Sequence, residues 1–107
     1  MNREALAWAA GLYDGEGGLY FNPSGRGLCL QVAQGHPGIL NRFQAAVGLG
    51  KVYGPYGVNQ NMWYFRARKF ETVQAIFAML WTFLSQPKQD QIRHALHLYE
   101  NTRKATP

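Results

Sequence analysis

The sequence is poor in cysteine, in acidic residues and in long apolar runs, and each shortage removes a class of function. Cys29 is the only cysteine among 107 residues, which excludes an internal disulfide and a multi-cysteine zinc site. The apolar run over residues 75–84 is too short to span a bilayer. No charged-then-apolar leader opens the chain, so the expectation is a soluble intracellular protein, in the cytoplasm or an organelle, without a membrane partner. There is no glycine-rich phosphate loop, no Ser-His-Asp order and no CxxC pair. Internal repeats, linkers and polar low-complexity tracts are also absent. With 47% hydrophobic residues, residues 1–107 read as one globular domain with a modest core. Six acidic residues stand against eleven basic ones, a formal net charge of +5, which favours a polyanionic partner.

Two of those six acids stand in residues 8–18, Trp-Ala-Ala-Gly-Leu-Tyr-Asp-Gly-Glu-Gly-Gly. A helix rich in small residues runs into Asp14-Gly15-Glu16-Gly17-Gly18, which places both carboxylates where the helix must end. The C-terminal end of a helix dipole repels negative charge. Two readings fit. A glycine-rich C-cap carries solvated acids, or the acids are held against repulsion to serve a cation while the glycines let the backbone approach something closely. Ala7, Ala10, Gly11 and Asp14 also share a stripe of this helix, and small residues permit close contact between helices.

Hydrophobic spacing predicts the remaining elements. Helices are expected over 2–13, from Pro37 to Gly48, over 70–84, and after Pro87 over 88–102. Alternating stretches at 18–22 and 27–34 flank Asn22-Pro23-Ser24-Gly25-Arg26, a strong turn signal. A second strand pair, 51–54 and 60–68, surrounds Gly54-Pro55-Tyr56-Gly57. The order reads αββαββα: an α+β domain with an antiparallel four-stranded sheet and its helices on one face. His94 and His97 lack a nearby third ligand and read as surface histidines. Trp81, Phe77 and Tyr99 read as core.

Strand alternation separates the two faces of that sheet. Leu19, Phe21, Leu28, Leu30, Val32, Val52, Trp63, Phe65 and Ala67 point toward the helices. Tyr20, Asn22, Cys29, Gln31, Lys51, Tyr53, Met62, Tyr64, Arg66 and Arg68 point away, with Arg26 in the turn. The outward set is polar, basic and aromatic and holds no carboxylate. An ordinary solvated face mixes both signs of charge. A β-ribbon fits the major groove of DNA, where Arg reads guanine and Asn or Gln reads adenine.

Ala9–Gly17 (AAGLYDGEG) resembles the LAGLIDADG motif of the homing endonucleases, and the Gly-Leu-Tyr-Phe that follows matches the strand that comes next in that family. Gly11, Leu12, Asp14 and Gly17 fit the pattern directly. Ala9 replaces its opening Leu, Tyr13 an aliphatic residue, and Glu16 the commoner Asp. The likeness extends over about residues 5–100. It implies a saddle-shaped sheet over double-stranded DNA, contacted by Tyr20, Asn22, Arg26, Gln31, Lys51, Tyr53, Tyr64, Arg66 and Arg68. It also implies that the motif helix packs on a second copy of itself. One motif in one chain then means a homodimer, with Ala7, Ala10, Gly11 and Asp14 at the interface.

The resemblance further assigns Glu16 as ligand of a divalent metal, with the Gly15 carbonyl beside it, and leaves Asp14 to the helix end or the dimer contact. Mg2+ is the expected ion, with Mn2+ able to substitute. Gln34 and Lys88 match the surroundings of the family's active site. Lysine in the first turn of a helix opposes the dipole and suits an anionic partner. After Gln34 the family often carries a basic residue, where this chain reads Gly35-His36-Pro37. His36 is a candidate replacement.

The implied activity is sequence-specific cleavage of both strands of a pseudo-palindromic site, by a hydrolase tied to intron or intein mobility. The alternatives are a non-cleaving DNA- or RNA-binding protein of the same fold, an intron maturase or transcription regulator, and, more distantly, a basic protein-interaction module.

Overall fold

The computed structural model describes residues 2–22 and 27–104, with side-chain surroundings through Thr102. Helix α1, Arg3–Glu16, starts at Asn2, whose Oδ1 accepts from the Ala5 amide at 3.0 Å. That bond satisfies one of the amide groups a helix start leaves open. The helix runs three residues past its expected end, so Asp14 and Glu16 lie inside its last turn, which holds no basic residue. Gly17 ends it in an extended conformation (φ −92°, ψ 161°) rather than a left-handed one. The glycine is needed there for space: a Cβ would collide with the Tyr13 ring.

Strand β1, Gly17–Asn22, pairs antiparallel with β2, Gly27–Gln34, from Gly17 opposite Val32 to Asn22 opposite Gly27. The connection between them, including Arg26, lies outside the described residues. Helix α2, Pro37–Val47, ends at Gly48 in the left-handed region (φ 72°), as the spacing predicts. Strands β3, Lys51–Tyr56, and β4, Met62–Ala67, complete an antiparallel sheet in the order β1-β2-β4-β3.

The second hairpin differs from expectation. β3 continues to Tyr56, and the turn falls at 57–60 instead of 54–57. Between the pairs Tyr53–Tyr64 and Tyr56–Met62 the register shifts, so Gly54 and Pro55 form an irregularity inside the strand. An edge strand tolerates proline because it has no neighbour on its outer side. Helix α3, Phe70–Leu80, is also shorter than expected, and a 3-10 turn, Trp81–Phe83, follows it. Helix α4, Gln86–Lys104, begins two residues early. Pro87 sits in its first turn, where a missing N–H breaks no intrahelical bond.

The core lies between the helices and the inner face of the sheet. Leu28, Leu30 and Val32 of β2 and Phe65 and Ala67 of β4 are buried, as the alternation predicts. Phe43 of α2 meets Phe65 edge-on at 4.8 Å, and Tyr13 of α1 meets Phe77 of α3 edge-on at 5.4 Å. Tyr99 of α4 stacks on Phe70 at 5.3 Å and meets Phe21 of β1 at 6.3 Å, which lays the long helix along the sheet. A one-residue slip of β2 or β4 would expose this inner set, so burial holds the register of the outer face as well.

Candidate nucleic-acid interface and metal site

The two acids of α1 meet different fates. Asp14 accepts from the Ser85 amide at 3.1 Å (Oδ1) and 3.2 Å (Oδ2), and from the Ser85 hydroxyl at 3.0 Å. The same hydroxyl oxygen accepts from the Lys88 amide at 3.4 Å. Ser85 and Asp14 together close the N-terminus of α4, so the repulsion at the end of α1 is offset by the positive end of another helix. Glu16 is exposed, and among the described residues no hydrogen bond or ion pair reaches it. The carbonyls after Tyr13, that of Gly15 among them, have no partner within the helix because the ladder closes with the Gly17 amide on the Tyr13 carbonyl.

Lys88 comes back to this corner from α4. Its Nζ donates to the Gly17 carbonyl at 2.9 Å and lies 5.6 Å from the centroid of the Tyr13 ring. A first-turn cation is disfavoured by its own helix, and the negative end of α1 with an aromatic face compensates. Gln34 closes β2, half-buried, two residues beyond the Val32 that faces Gly17. Lys88 is thus fixed at the junction of α1 and β1, where Glu16 ends the helix, and Gln34 stands opposite Trp63 at the end of β2. His36 instead caps α2: its Nδ1 accepts from the Gly38 amide at 3.1 Å. Tyr13 is fully buried, and among the described residues no group is in hydrogen-bond reach of its hydroxyl. Burial pushes that phenol far above its usual range, with smaller contributions from Tyr20 and Cys29, so it stays neutral.

The open face of the sheet is ordered in rows. Gly18, Gln31, Arg66 and Lys51 stand opposite one another across all four strands, and Ala33, Tyr64 and Tyr53 form the next row. Arg66 Nε donates to Gln31 Oε1 at 2.8 Å, and the guanidinium lies over the Tyr64 ring at 4.6 Å. Tyr56, which a turn at 54–57 would keep out of the strand, is exposed and packs on Tyr64 at 5.8 Å. At the end of the first hairpin, a recess of about 360 Å³ is bordered by residues of both faces, Tyr20, Asn22 and Cys29 as well as Phe21 and Leu28, and by Arg68 just past β4. All six acids of the chain lie on helices, so none stands on this face.

On α1, Ala7 and Gly11 are exposed, and a Cβ at Gly11 would have nothing within 4 Å. Ala10, from the same stripe, is fully buried in the chain's own core, and Asp14 is taken up by Ser85. Half-exposed Trp8 and Leu12 border the open part, and Arg42 of α2 covers the Trp8 ring at 3.9 Å. Among the described residues there is no cluster of three or more His, Cys, Asp or Glu that could hold a metal, and no helix is long and apolar enough to cross a membrane.

Compared by sequence, the chain matches no protein-family model and no curated relative. Compared by structure, it has the fold of the LAGLIDADG homing endonucleases. The homing endonuclease I-CvuI, in complex with a DNA target in the presence of Mg and with the DNA not cleaved, superposes with a TM-score of 0.71 at 22% identity, over 95% of this chain and 71% of that one. The LAGLIDADG meganuclease I-AabMI, bound to uncleaved DNA, gives 0.70 at 16% identity, over 97% of this chain and 38% of that one. The LAGLIDADG homing endonuclease I-GzeII, in complex with its DNA target, gives 0.64 at 21% identity, over 99% of this chain and 40% of that one. This chain therefore spans well under half the length of the latter two.

Proposed function

We propose that this chain binds double-stranded DNA through the open face of its sheet and, as a homodimer, hydrolyses both strands of a pseudo-palindromic site with a divalent metal. The observation that carries the reading is the segregation of charge. Every acid is on a helix, while the open face presents Gln31, Lys51 and Arg66 among tyrosines, and Arg68, expected within the strand, follows the last residue of β4. The DNA-bound structures that share the fold support the choice of polyanion.

The donors at the end of α1 fit the metal. Glu16 supplies one uncommitted carboxylate and Gly15 a carbonyl, whereas Asp14 is engaged by Ser85. Mg2+ keeps several waters and takes few carboxylates, so a sparse oxygen set suits it, and Mn2+ accepts the same ligands. When bound there, the ion would hold the scissile phosphate, acidify a water and stabilise the leaving oxygen. Gln34 orients the attacking water through its amide. Lys88, held at the Gly17 carbonyl, presents its ammonium to the phosphate. Ala7 and Gly11 offer the face on which the second copy packs, bringing two Glu16 side chains toward the dyad.

Separating binding from cutting tests this reading. Glu16→Gln is expected to keep duplex affinity and abolish Mg2+-dependent cleavage of the same DNA, read by fluorescence anisotropy and gel electrophoresis. Cleavage that survives the substitution contradicts the metal role. Binding without cleavage in the unaltered protein makes it a regulator or maturase of this fold.

A further inference from the structure

We infer that Arg66 and Gln31 act as one composite reader of guanine in the major groove, with Gln31 a positioning residue rather than an adenine reader. This rests on the DNA-binding reading above and names the base that its central row recognises. The two residues are directly opposite on the two central strands. Arg66 Nε donates to Gln31 Oε1 at 2.8 Å, and the Tyr64 ring lies under the guanidinium at 4.6 Å. Lys51, opposite Arg66 on its other side, discourages the arginine from swinging outward. Gly18, opposite Gln31, has no side chain of its own, and the Tyr20 ring lies over it.

The hydrogen-bond inventory then decides the base. Among the described residues, nothing accepts from Nη1 or Nη2 of Arg66 or from the amide nitrogen of Gln31. Arg66 keeps its end-on pair of donors, which matches two adjacent acceptors. Gln31 reads adenine with its amide oxygen and nitrogen together, and here one of the two lone pairs of Oε1 is taken by the Arg66 Nε–H, which ties the amide to the arginine. The groups of the pair that have no partner among the described residues are mostly donors, Nη1 and Nη2 of Arg66 and the Gln31 amide nitrogen. Guanine is the base that offers two acceptors, O6 and N7, to the major groove.

The test is selection of bound duplexes from a randomised library with cleavage suppressed by EDTA, using the unaltered protein, Arg66→Ala, Gln31→Ala and Gln31→Glu. The unaltered protein is expected to enrich guanine at one symmetry-related pair of positions. Arg66→Ala and Gln31→Ala should both lose about 5- to 100-fold of that preference, at the same positions. Gln31→Glu should retain it, because a carboxylate still accepts from Nε; this variant carries the test if Gln31→Ala folds poorly. Loss of an adenine preference elsewhere in Gln31→Ala, or equal loss of guanine preference in Gln31→Glu, overturns the composite reader while DNA binding stands. Failure of the unaltered protein to enrich any duplex overturns the DNA-binding reading and this inference with it.

Discussion

Asp14 and Glu16 are two residues apart on the last turn of one helix, yet their surroundings give them different work. Asp14 is bound three times by Ser85, and its charge faces the N-terminus of α4. Asp14→Ala should remove that cap and cost about 1 kcal/mol, which lowers Tm by about 4–8 °C in a domain of this size. Calorimetry checks this, and Glu16→Gln, at a residue with no partner among the described residues, should keep Tm or raise it slightly, because it removes a negative charge from the C-terminal end of α1. Tyr13 makes a pH-dependent prediction. Its phenol titrates higher in the folded than in the unfolded chain, so its contribution is complete below pH 10, the unfolded value, and is lost as pH rises beyond that. Tyr13→Phe should hold Tm at neutral pH, because the hydroxyl has no partner among the described residues, and should weaken the alkaline loss. A large fall in Tm at neutral pH would show that the hydroxyl is satisfied after all. Lys51 and Arg66 stand directly opposite with like charge, which favours binding an anion over stability. Lys51→Gln should therefore stabilise the free protein by about 0.2–1 kcal/mol and weaken its binding to DNA.

At the scale of elements, what was legible in the sequence depended on range. Period-2 alternation assigned the two faces of β2 and β4 correctly because each residue's direction follows from its neighbours alone. Pro37 and Gly48 marked α2 for the same reason. The end of α1 was not legible: acids in a last turn look like a stop signal until Ser85, 71 residues away, supplies the compensating helix end. Lys88 and the Gly17 carbonyl are separated by the same distance in sequence, so their contact has no local signature. Pro55 looked like a turn and is a bulge on an edge strand, which hid Tyr56 from the outward set. Gly17 was legible as a position of close approach or a helix cap, but not its partner: it makes room for the Tyr13 ring of its own helix. Gly17→Ala should cost about 1–3 kcal/mol by overpacking. Gly11→Leu should leave the fold intact, since a Cβ there meets nothing, and should abolish the proposed homodimer. Analytical ultracentrifugation reads that difference directly, and an intact dimer in Gly11→Leu would move the interface elsewhere.

Across the whole molecule, one sheet separates two tasks. Its inner face carries the core that holds the register, and its outer face displays side chains in rows whose spacing the register sets. The acids are confined to helices, and Glu16, which has no partner among the described residues, lies where α1 hands the chain to the sheet. Duplex binding through such a face should weaken steeply as salt rises, with a slope that falls by about one for each phosphate-contacting cation removed. The most direct measurement is to incubate the protein with Mg2+ and a randomised duplex library, and to sequence the cut ends beside a Glu16→Gln control. The account predicts paired cuts, one on each strand, related by a dyad within a recurring site and lost in the control. Unpaired cuts, or cuts that persist in Glu16→Gln, would contradict it.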